Sequence, residues 1–192
     1  MAARRFIPGE KRHLFEQVAL PHLDALYSAA LRLTRNSDDA KDLLQDTVLR
    51  SYRFFDQFKQ GTNCRAWLLT ILYNSFRNNC RRGTREQVAS TSDQFDHQAE
   101  TGSLTDDRPV RNPEELIGNR MVARQFEAVL ATLSPEFREV LILVDVQELN
   151  YQEIADVLEI PIGTVKSRVS RARAIMRQAM LKVTMSREKT GS

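Results

Sequence analysis

Residues 150–180 read NYQEIADVLEIPIGTVKSRVSRARAIMRQAM, and this stretch decides the fold of the second half of the chain. Asn150 is a favourable helix N-cap and Glu153 follows three positions later, so the pair predicts a capping box that opens a short helix. Residues 160–163, IPIG, form a turn into a longer helix that runs to about Met180. Two helices joined by so short a turn are typical of a helix-turn-helix.

The longer helix, which we expect to begin at Thr164, has an apolar seam on one side and a basic surface on the other. The seam consists of Val165, Val169, Ala172 and Met176. The outer side carries Lys166, Ser167, Ser170, Arg171, Arg173 and Arg177. Residues 161–182 contain six Lys or Arg and no carboxylate, whereas residues 117–160 contain three bases and eight acids. A basic helix that follows such a turn favours binding in the major groove of DNA.

In the first half, Ser37 and the two acids that follow it predict a helix that begins there and runs to about Phe58. One face of this helix groups Leu44, Val48, Ser51 and Phe55. The opposite face groups Asp42, Asp46, Leu49, Arg53 and Asp56. A charged face is most often simply solvated, and Leu49 among the carboxylates is only a weak indication of a docking surface.

A second helix is predicted from near Ala66 to about Arg82, with Leu68, Leu69, Leu72, Ser75 and Phe76 on its inner side. Its outer arc carries Thr70, Tyr73, Asn74, Arg77, Asn78 and Arg81. Cations attract phosphates, amides pair with base edges and a tyrosine ring stacks on an unpaired base. This arc therefore suits a nucleic acid, although a solvated basic face has the same composition. Trp67, at the start of the helix, is typical of a core anchor.

The net charge of +3 hides three unlike segments. Residues 1–85 carry 15 bases and 8 acids (+7), residues 86–116 carry 2 and 8 (−6), and residues 117–192 carry 11 and 9 (+2). The acidic middle lacks a helical period from Gln87 to Pro113. The sequence therefore predicts two small all-helical domains, at residues 20–86 and 114–182, joined by a flexible acidic linker at 87–113. Residues 1–19 are predicted to be an N-terminal extension and 183–192 a polar tail.

Composition excludes several function classes. The 192 residues include two cysteines, Cys64 and Cys80, and three histidines at no metal-ligand spacing, so we expect neither a disulfide scaffold nor a metal site. No apolar run approaches the ~20 residues that a membrane span requires. We find no phosphate-binding loop, nucleophile elbow or acid–base constellation, so we expect no enzyme and no cofactor. A reducing cytoplasm fits the cysteine content, and inert thiols are commoner than redox sensors.

The two helical segments together resemble the bacterial RNA polymerase sigma factors of the sigma-70 family, specifically the small extracytoplasmic-function (ECF) group. The stretches DDAKDLLQDTVLRSYRFFDQF and WLLTILYNSFRNNCRR resemble region 2 of that family, and LSPEFREVLILVDVQELNYQEIADVLEIPIGTVKSRVSRAR resembles region 4. The region 4 pattern alone also occurs in other transcription regulators. Both patterns in this order are specific to the family.

The resemblance implies a role for each surface. Binding to core polymerase is implied for Asp42, Gln45, Asp46, Leu49, Arg53 and Asp56. Binding and opening of the −10 promoter element is implied for Thr62, Asn63, Trp67, Tyr73, Asn74, Arg77, Asn78 and Arg81, with Asn63 and its neighbours holding a flipped base. Reading of the −35 element is implied for Thr164, Lys166, Ser167, Arg168, Ser170 and Arg171, with Arg168 on the flank as a phosphate contact.

The implied partners are the clamp helices of the β′ subunit and the flap of the β subunit of core polymerase, promoter DNA and an anti-sigma factor. We expect the free chain to be a monomer. The alternative is a stand-alone helix-turn-helix regulator that binds duplex DNA without polymerase. That interpretation explains the second half of the chain, but it leaves the surfaces of the first half without a role, and such regulators usually dimerise on palindromic sites. An anti-sigma antagonist or protein-only scaffold is disfavoured by the basic recognition helix.

Overall fold

The computed structural model describes residues 8–89 and 113–188, and every regular element in these two ranges is helical. The eight α-helices are α1 (Pro8–Ala19), α2 (Leu23–Thr34), α3 (Ser37–Phe54), α4 (Cys64–Ala89), α5 (Pro113–Thr132), α6 (Pro135–Leu141), α7 (Tyr151–Leu158) and α8 (Ile162–Glu188). Short 3₁₀ turns occupy Leu20–His22 and Phe55–Gln57, and a π-helical turn occupies Ile142–Val146. The all-helical architecture confirms the predicted fold class. We call α1–α4 region 2 and α5–α8 region 4.

The N-termini of α3 and α4 are both set by asparagine. Asn36, and not the predicted Ser37, caps α3, because its Oδ1 accepts hydrogen bonds from the backbone N–H groups of Asp38 and Asp39 at 2.8 and 3.1 Å. Asn63 Oδ1 accepts from the Ala66 N–H at 3.2 Å, and α4 therefore begins at Cys64, two residues before the predicted start. Each side-chain oxygen satisfies donors that the first turn of a helix leaves unpaired.

Three helices differ in length from their predictions. Helix α3 ends at Phe54, and a single 3₁₀ turn replaces the predicted continuation to Phe58. Helix α4 continues to Ala89, past the expected start of the linker, and α8 continues to Glu188, through most of the expected polar tail. The central part of the predicted linker, residues 90–112, lies outside the described residues.

The predicted N-terminal extension contains a helix that joins the core of region 2. The Phe15 ring of α1 meets the Phe55 ring edge-on, with centroids 5.3 Å apart. Phe55 also lies against Phe58 and Trp67, and the Phe58 and Trp67 centroids are 5.0 Å apart. Aromatic pairs in such geometry add to the free energy of apolar burial. Trp67 is thus part of the packing at the α3–α4 corner, as expected of a core anchor.

The helix-turn-helix has the predicted local structure. Asn150 Oδ1 accepts from the N–H groups of Gln152 and Glu153, both at 3.0 Å, and Glu153 Oε2 accepts from the Asn150 N–H at 2.9 Å. This reciprocal pairing confirms the capping box. The predicted seam of α8 is buried and consists of Val165, Val169, Ala172 and Met176. Ser134 occupies the N-cap of α6 before Pro135, although its side chain makes no capping hydrogen bond.

Region 2 and region 4 lie directly against each other, mainly where α4 packs on α7. Buried apolar side chains of both regions belong to one contiguous core. The sequence predicted two helical units but not this contact. Among the helices of the described ranges, none has the length and apolarity needed to cross a membrane.

Candidate nucleic-acid interface

The face of α3 opposite the core presents one apolar side chain among charges. The Leu49 side chain is 61% exposed, which is unusual for a leucine in a packed helix. The predicted core-binding residues that are exposed beside it are Asp42, Gln45 and Arg53. The buried face of the same helix contains Leu43, Thr47 and Ser51. An exposed leucine ringed by polar groups is the composition expected at the centre of a protein-docking patch.

The other two predicted core-binding residues on this side carry local ion pairs. Asp46 pairs with Arg50 one turn further along α3 at 2.8 Å, and Asp56 pairs with Lys11 of α1 at 2.6 Å. Ion pairs between partly exposed side chains contribute ~0–1 kcal/mol to stability. Both carboxylates therefore remain available to a protein partner at small cost.

Three of the described residues predicted to contact the −10 element are exposed, two in the loop between α3 and α4 and one further along α4. Thr62, Asn63 and Asn78 are in this group. The Thr62 hydroxyl donates to the Lys59 carbonyl oxygen at 2.6 Å and shapes the loop. Because Asn63 Oδ1 caps α4, its amide Nδ2 is the atom left to recognise a partner, and in this structure Nδ2 donates to Glu153 Oε1 of region 4 at 2.6 Å. Arg81 lies on α4, but its side chain is outside the described part of the structure.

Tyr73 does not lie on an exposed surface. The sequence placed it on the outer arc of α4, and this prediction is wrong for the present structure, because the side chain is completely buried. Burial raises the pKa of its hydroxyl well above the usual value, and the nearby Glu139 carboxylate raises it further. The hydroxyl has no hydrogen-bond partner among the described residues. Tyr73 cannot stack on a base while region 4 occupies its present position.

Two further residues of the predicted −10 surface bind region 4. Asn74 Nδ2 donates to Glu159 Oε1 at 3.4 Å, and Arg77 Nη2 donates to the Leu158 carbonyl oxygen at 3.2 Å. Arg77 also lies 3.9 Å from a carboxylate oxygen of Glu139, whose pKa is raised by burial. In this structure the middle of the predicted arc therefore contacts region 4.

The outer side of α8 remains open. Of the residues predicted to read the −35 element, four are exposed: Lys166, Ser167, Ser170 and Arg171. Thr164 is half-buried, and its carbonyl oxygen accepts from the Ser167 hydroxyl at 3.0 Å. Arg168 is held on the flank by Glu136 at 3.1 Å. These side chains form a cationic and hydroxyl-bearing surface on a helix that is free to enter a groove.

Sequence reasoning missed Gln147 and Arg65. The Gln147 side chain is 1% exposed and reaches from region 4 into region 2. Its Oε1 accepts from Arg65 Nε and Nη2 at 3.0 and 2.7 Å, and its Nε2 donates to the Ala25 carbonyl oxygen at 3.0 Å. The only signal in the sequence is a polar residue three positions after the apolar run 140–144, which does not reveal a partner 82 positions away.

The chemistry available at these surfaces is that of binding. The described residues contain no cluster of His, Cys, Asp or Glu that could hold a metal ion. The surfaces offer guanidinium, ammonium, amide and hydroxyl donors, which suit phosphates and base edges.

Comparison with known proteins finds two family models that match this chain. Residues 19–86 match the family described as Sigma-70 region 2, and residues 123–176 match Sigma-70, region 4. The chain is 36% identical over 157 residues to the ECF RNA polymerase sigma factor EcfG of Rhodopseudomonas palustris, covering 81% of this chain and 77% of that one. It is 32% identical over 168 residues to the ECF RNA polymerase sigma factor SigE of Mycolicibacterium smegmatis. That match covers 88% of this chain but only 62% of the length of the relative.

Solved structures show the same similarity. The sigma factor RpoE of Bartonella quintana, determined in complex with the anti-sigma factor NepR, matches with a TM-score of 0.67 and 35% identity over 88% of this chain and 97% of that one. CnrH, determined in complex with the cytosolic domain of CnrY, matches with a TM-score of 0.58 and 26% identity over 90% of each chain. With regions 2 and 4 present in this order, the chain belongs to the ECF group of the sigma-70 family.

Proposed function

We propose that this chain is a sigma factor that binds core RNA polymerase, directs it to promoters with −35 and −10 elements and assists promoter opening. The observation that carries the proposal is the presence of two unlike exposed surfaces on one chain. One is the face of α3 centred on Leu49, and the other is the outer side of α8 centred on Arg171. A stand-alone DNA-binding protein needs only the second surface.

In this proposal the face of α3 binds the clamp helices of the β′ subunit, and region 4 contacts the β flap. Burial of an exposed leucine side chain contributes ~1.5–3 kcal/mol to an interface, which is enough to make Leu49 its central contact. The surrounding charges, among them Asp42 and Arg53, then select the partner more than they add affinity.

The outer side of α8 reads the −35 duplex, and α4 with the preceding loop holds the −10 strand. Unpairing a base costs a few kcal/mol, so the strand opens where an extruded base is held by a pocket. In this proposal Asn63 holds such a base through its amide N–H group, once that group is released from Glu153. Binding energy from polymerase, the −35 element and the flipped base together favours the open promoter. The chain itself makes and breaks no covalent bond, because the polymerase makes the RNA.

We further propose that the protein acts in the cytoplasm and is controlled by an anti-sigma factor. The similar sigma factor RpoE was determined in complex with the anti-sigma factor NepR, and CnrH in complex with the cytosolic domain of CnrY. Exposed apolar side chains on both regions, including Leu49 and Leu181, give such a partner places to bind.

The experiment that tests the function is a reconstitution. The purified chain and bacterial core polymerase are incubated with a fragmented genomic library, and the 5′ ends of the transcripts are sequenced. Starts that share a −35 and −10 pair, and that are absent without the chain, are the expected result. Duplex DNA bound by the chain alone, without any polymerase-dependent start, would favour the stand-alone regulator instead.

A further inference from the structure

The two flanks of α8 carry arginines that are each held by an acid from another segment of region 4. Arg168 lies 3.1 Å from Glu136 of α6, and Arg173 lies 2.5 Å from Asp145 of the π-helical turn. At about 100° per residue the two arginines are about 140° apart around the helix, one on each side of the buried seam. Arg171 lies between them on the exposed outer side. The basic surface of α8 is therefore bordered by a held arginine on each flank.

The guanidinium of Arg173 meets the Asp145 carboxylate along one edge. Arg173 Nη2 donates to Asp145 Oδ1 at 2.5 Å, and Arg173 Nε lies 3.5 Å from Asp145 Oδ2. The N–H donors of a guanidinium form a planar and rigid fork, so a contact along one edge orients the whole group. One carboxylate does not engage all of these donors. The contact therefore orients Arg173 and leaves donors for a second acceptor.

Arg173 also lines a cationic groove between α7 and α8. The groove has a volume of about 410 Å³, and the polar side chains that line it are those of Tyr151, Lys166, Ser170, Arg173 and Arg177. Its lining includes three cations and no carboxylate. Because Lys166 and Ser170 also belong to the predicted −35 surface, the groove is continuous with that surface. A groove of this charge suits a phosphate of a DNA backbone.

Asp145 is placed behind this groove by an irregular turn. It is not among the residues that line the groove, and it reaches the groove through Arg173. Helix α6 is followed by a π-helical turn over Ile142–Val146, and the Gln147 N–H donates to the Ile142 carbonyl oxygen, five residues back, at 2.9 Å. Turns of this kind occur frequently at functional sites. Here the turn brings a carboxylate to Arg173 while the Ile142 side chain stays buried.

The ion pair of Asp145 and Arg173 adds little to the stability of the fold. The Arg173 side chain is 47% exposed and the Asp145 side chain is 31% exposed, and ion pairs between exposed side chains contribute little. A carboxylate beside a cationic groove also opposes the attraction of phosphates. Its benefit lies in the arginine. A long side chain loses conformational freedom when it is ordered at an interface, and one that is already fixed loses less.

We propose that Asp145 is a positioning residue of the duplex-binding surface, which fixes Arg173 on one flank of α8 so that its remaining donors meet a phosphate of the DNA backbone. The inference rests on the proposed function, in that the outer side of α8 binds duplex DNA. Arg168, held by Glu136, is the corresponding contact on the other flank. Two fixed phosphate contacts set the position of α8 in the groove, and the side chains between them reach the base edges.

Removal of the Asp145 charge distinguishes positioning from simple electrostatics. Asp145→Asn removes a negative charge, which by charge alone would tighten binding to DNA. Because the carboxylate positions Arg173, we expect the opposite result, weaker binding to a preferred duplex. Asp156→Asn removes the same charge from an exposed position of α7, where the carboxylate accepts from Gln152 of the same helix, and it is the matched control.

The measurements use the full chain and duplex DNA. Duplexes that the wild-type chain prefers are enriched from a random-sequence pool, and binding of the dominant sequence and of a scrambled copy is followed by fluorescence anisotropy over a range of salt concentrations. We expect Asp145→Asn to bind the enriched duplex roughly threefold to tenfold more weakly than wild type and the scrambled duplex at least as tightly. Asp145→Glu keeps the carboxylate and should recover part of the loss. Asp156→Asn should weaken neither.

The double variant Asp145→Asn/Arg173→Ala tests whether Asp145 acts through Arg173. Arg173→Ala should reduce the slope of log affinity against log salt concentration by about 0.9, which corresponds to one phosphate contact. Once the arginine is absent, Asp145→Asn should have no further effect, so the double variant should bind as Arg173→Ala does. A merely structural role of Asp145 would instead give additive losses.

Additive losses would overturn the positioning role. Binding of the enriched duplex by Asp145→Asn that is as tight as that of wild type, or tighter, would overturn it as well. A wild-type chain that enriches no duplex would remove the surface on which the inference depends. None of these measurements requires polymerase. A failure of the sigma-factor proposal therefore appears separately, as the absence of polymerase-dependent starts in the reconstitution.

Discussion

Arg65 of α4 donates two hydrogen bonds to one oxygen of Gln147, at 3.0 and 2.7 Å, although the two residues are 82 positions apart in the chain. The pair joins region 2 to region 4 at a point where the glutamine is almost fully buried. Burial lowers the pKa of the nearby His22, and the positive charge of Arg65 lowers it further. Region 4 is therefore held against region 2 by directional contacts in addition to apolar packing.

Gln147→Ala is expected to lower the free energy of unfolding by about 1–3 kcal/mol, because it leaves partly buried donor and acceptor groups of region 2 without partners. Urea unfolding of the free chain, followed by circular dichroism, measures the loss. Gln152→Ala is the matched control, because Gln152 is exposed and its side chain bonds only within α7, to Asp156. Equal losses in the two variants would contradict the bridging role of Gln147.

Tyr73→Phe is expected to raise the free energy of unfolding by up to about 1 kcal/mol, because it removes a buried hydroxyl that has no partner among the described residues. The pKa of this hydroxyl is raised in the folded chain, so the folded state favours the protonated phenol. The stability that depends on this protonation is fully present below the unfolded pKa of about 10, and it is lost as the pH rises towards the folded pKa. The variant should therefore lose less stability than wild type in alkaline solution.

Thermal unfolding across the alkaline range checks the Tyr73 prediction. Tyr27→Phe is the control, because the Tyr27 hydroxyl lies 3.4 Å from Ser37 Oγ and its removal should bring no gain. Parallel alkaline curves for Tyr73→Phe and wild type would show that the phenol does not stay protonated in the fold.

Replacing Asp46 and Leu49 together by alanine is expected to weaken binding to core polymerase by about tenfold or more, because an interface loses ~1.5–3 kcal/mol with a buried leucine. The melting temperature should change little, since Leu49 is exposed and Asp46 is bound only in a surface ion pair. Leu181→Ala removes an equally exposed leucine from α8 and should leave the affinity unchanged. Unchanged affinity of the Asp46/Leu49 variant would exclude this face of α3 from the interface.

Arg171→Ala is expected to reduce transcription from −35-dependent promoters by about tenfold to a hundredfold, because it removes one good base or phosphate contact that contributes ~1–3 kcal/mol. Affinity for core polymerase should be unaffected, because Arg171 is on the outer side of α8. Run-off transcription and a polymerase pull-down measure the two quantities. Arg124→Ala removes an exposed cation from α5 and should leave both unchanged. Equal losses of transcription and polymerase binding in Arg171→Ala would refute its assignment to the −35 element.

Cys64 is expected to react slowly with iodoacetamide at neutral pH, because burial raises the pKa of its thiol to about 11 and the thiolate is the reacting form. The rate of this reaction should rise with pH until the pH reaches about 11. Burial also raises the pKa of Cys80, and Cys64→Ser therefore serves to assign the rate to the correct residue. Rapid modification of Cys64 at neutral pH would show that its surroundings open in solution.

Local signals in the sequence were sufficient for most elements. The capping box of Asn150 and Glu153 depends on residues three positions apart, and the seam of α8 depends on helical spacing, so both were predictable. The ends of the helices were less predictable. Asn36 competes with Ser37 for the same cap, and the sequence alone does not decide which backbone conformation wins.

Charge and periodicity also located the exposed surfaces, since Leu49 and Arg171 are exposed as their helical positions predict. The burial of Tyr73 was not predictable, because its side of α4 is polar in the sequence and packs against region 4, which is distant in the chain. The sequence by itself determined an all-helical chain with a helix-turn-helix and a segregation of acids from bases. Only the tertiary structure decided that acids of region 4 contact the predicted −10 residues, because contacts such as Asn63 with Glu153 join residues 90 positions apart.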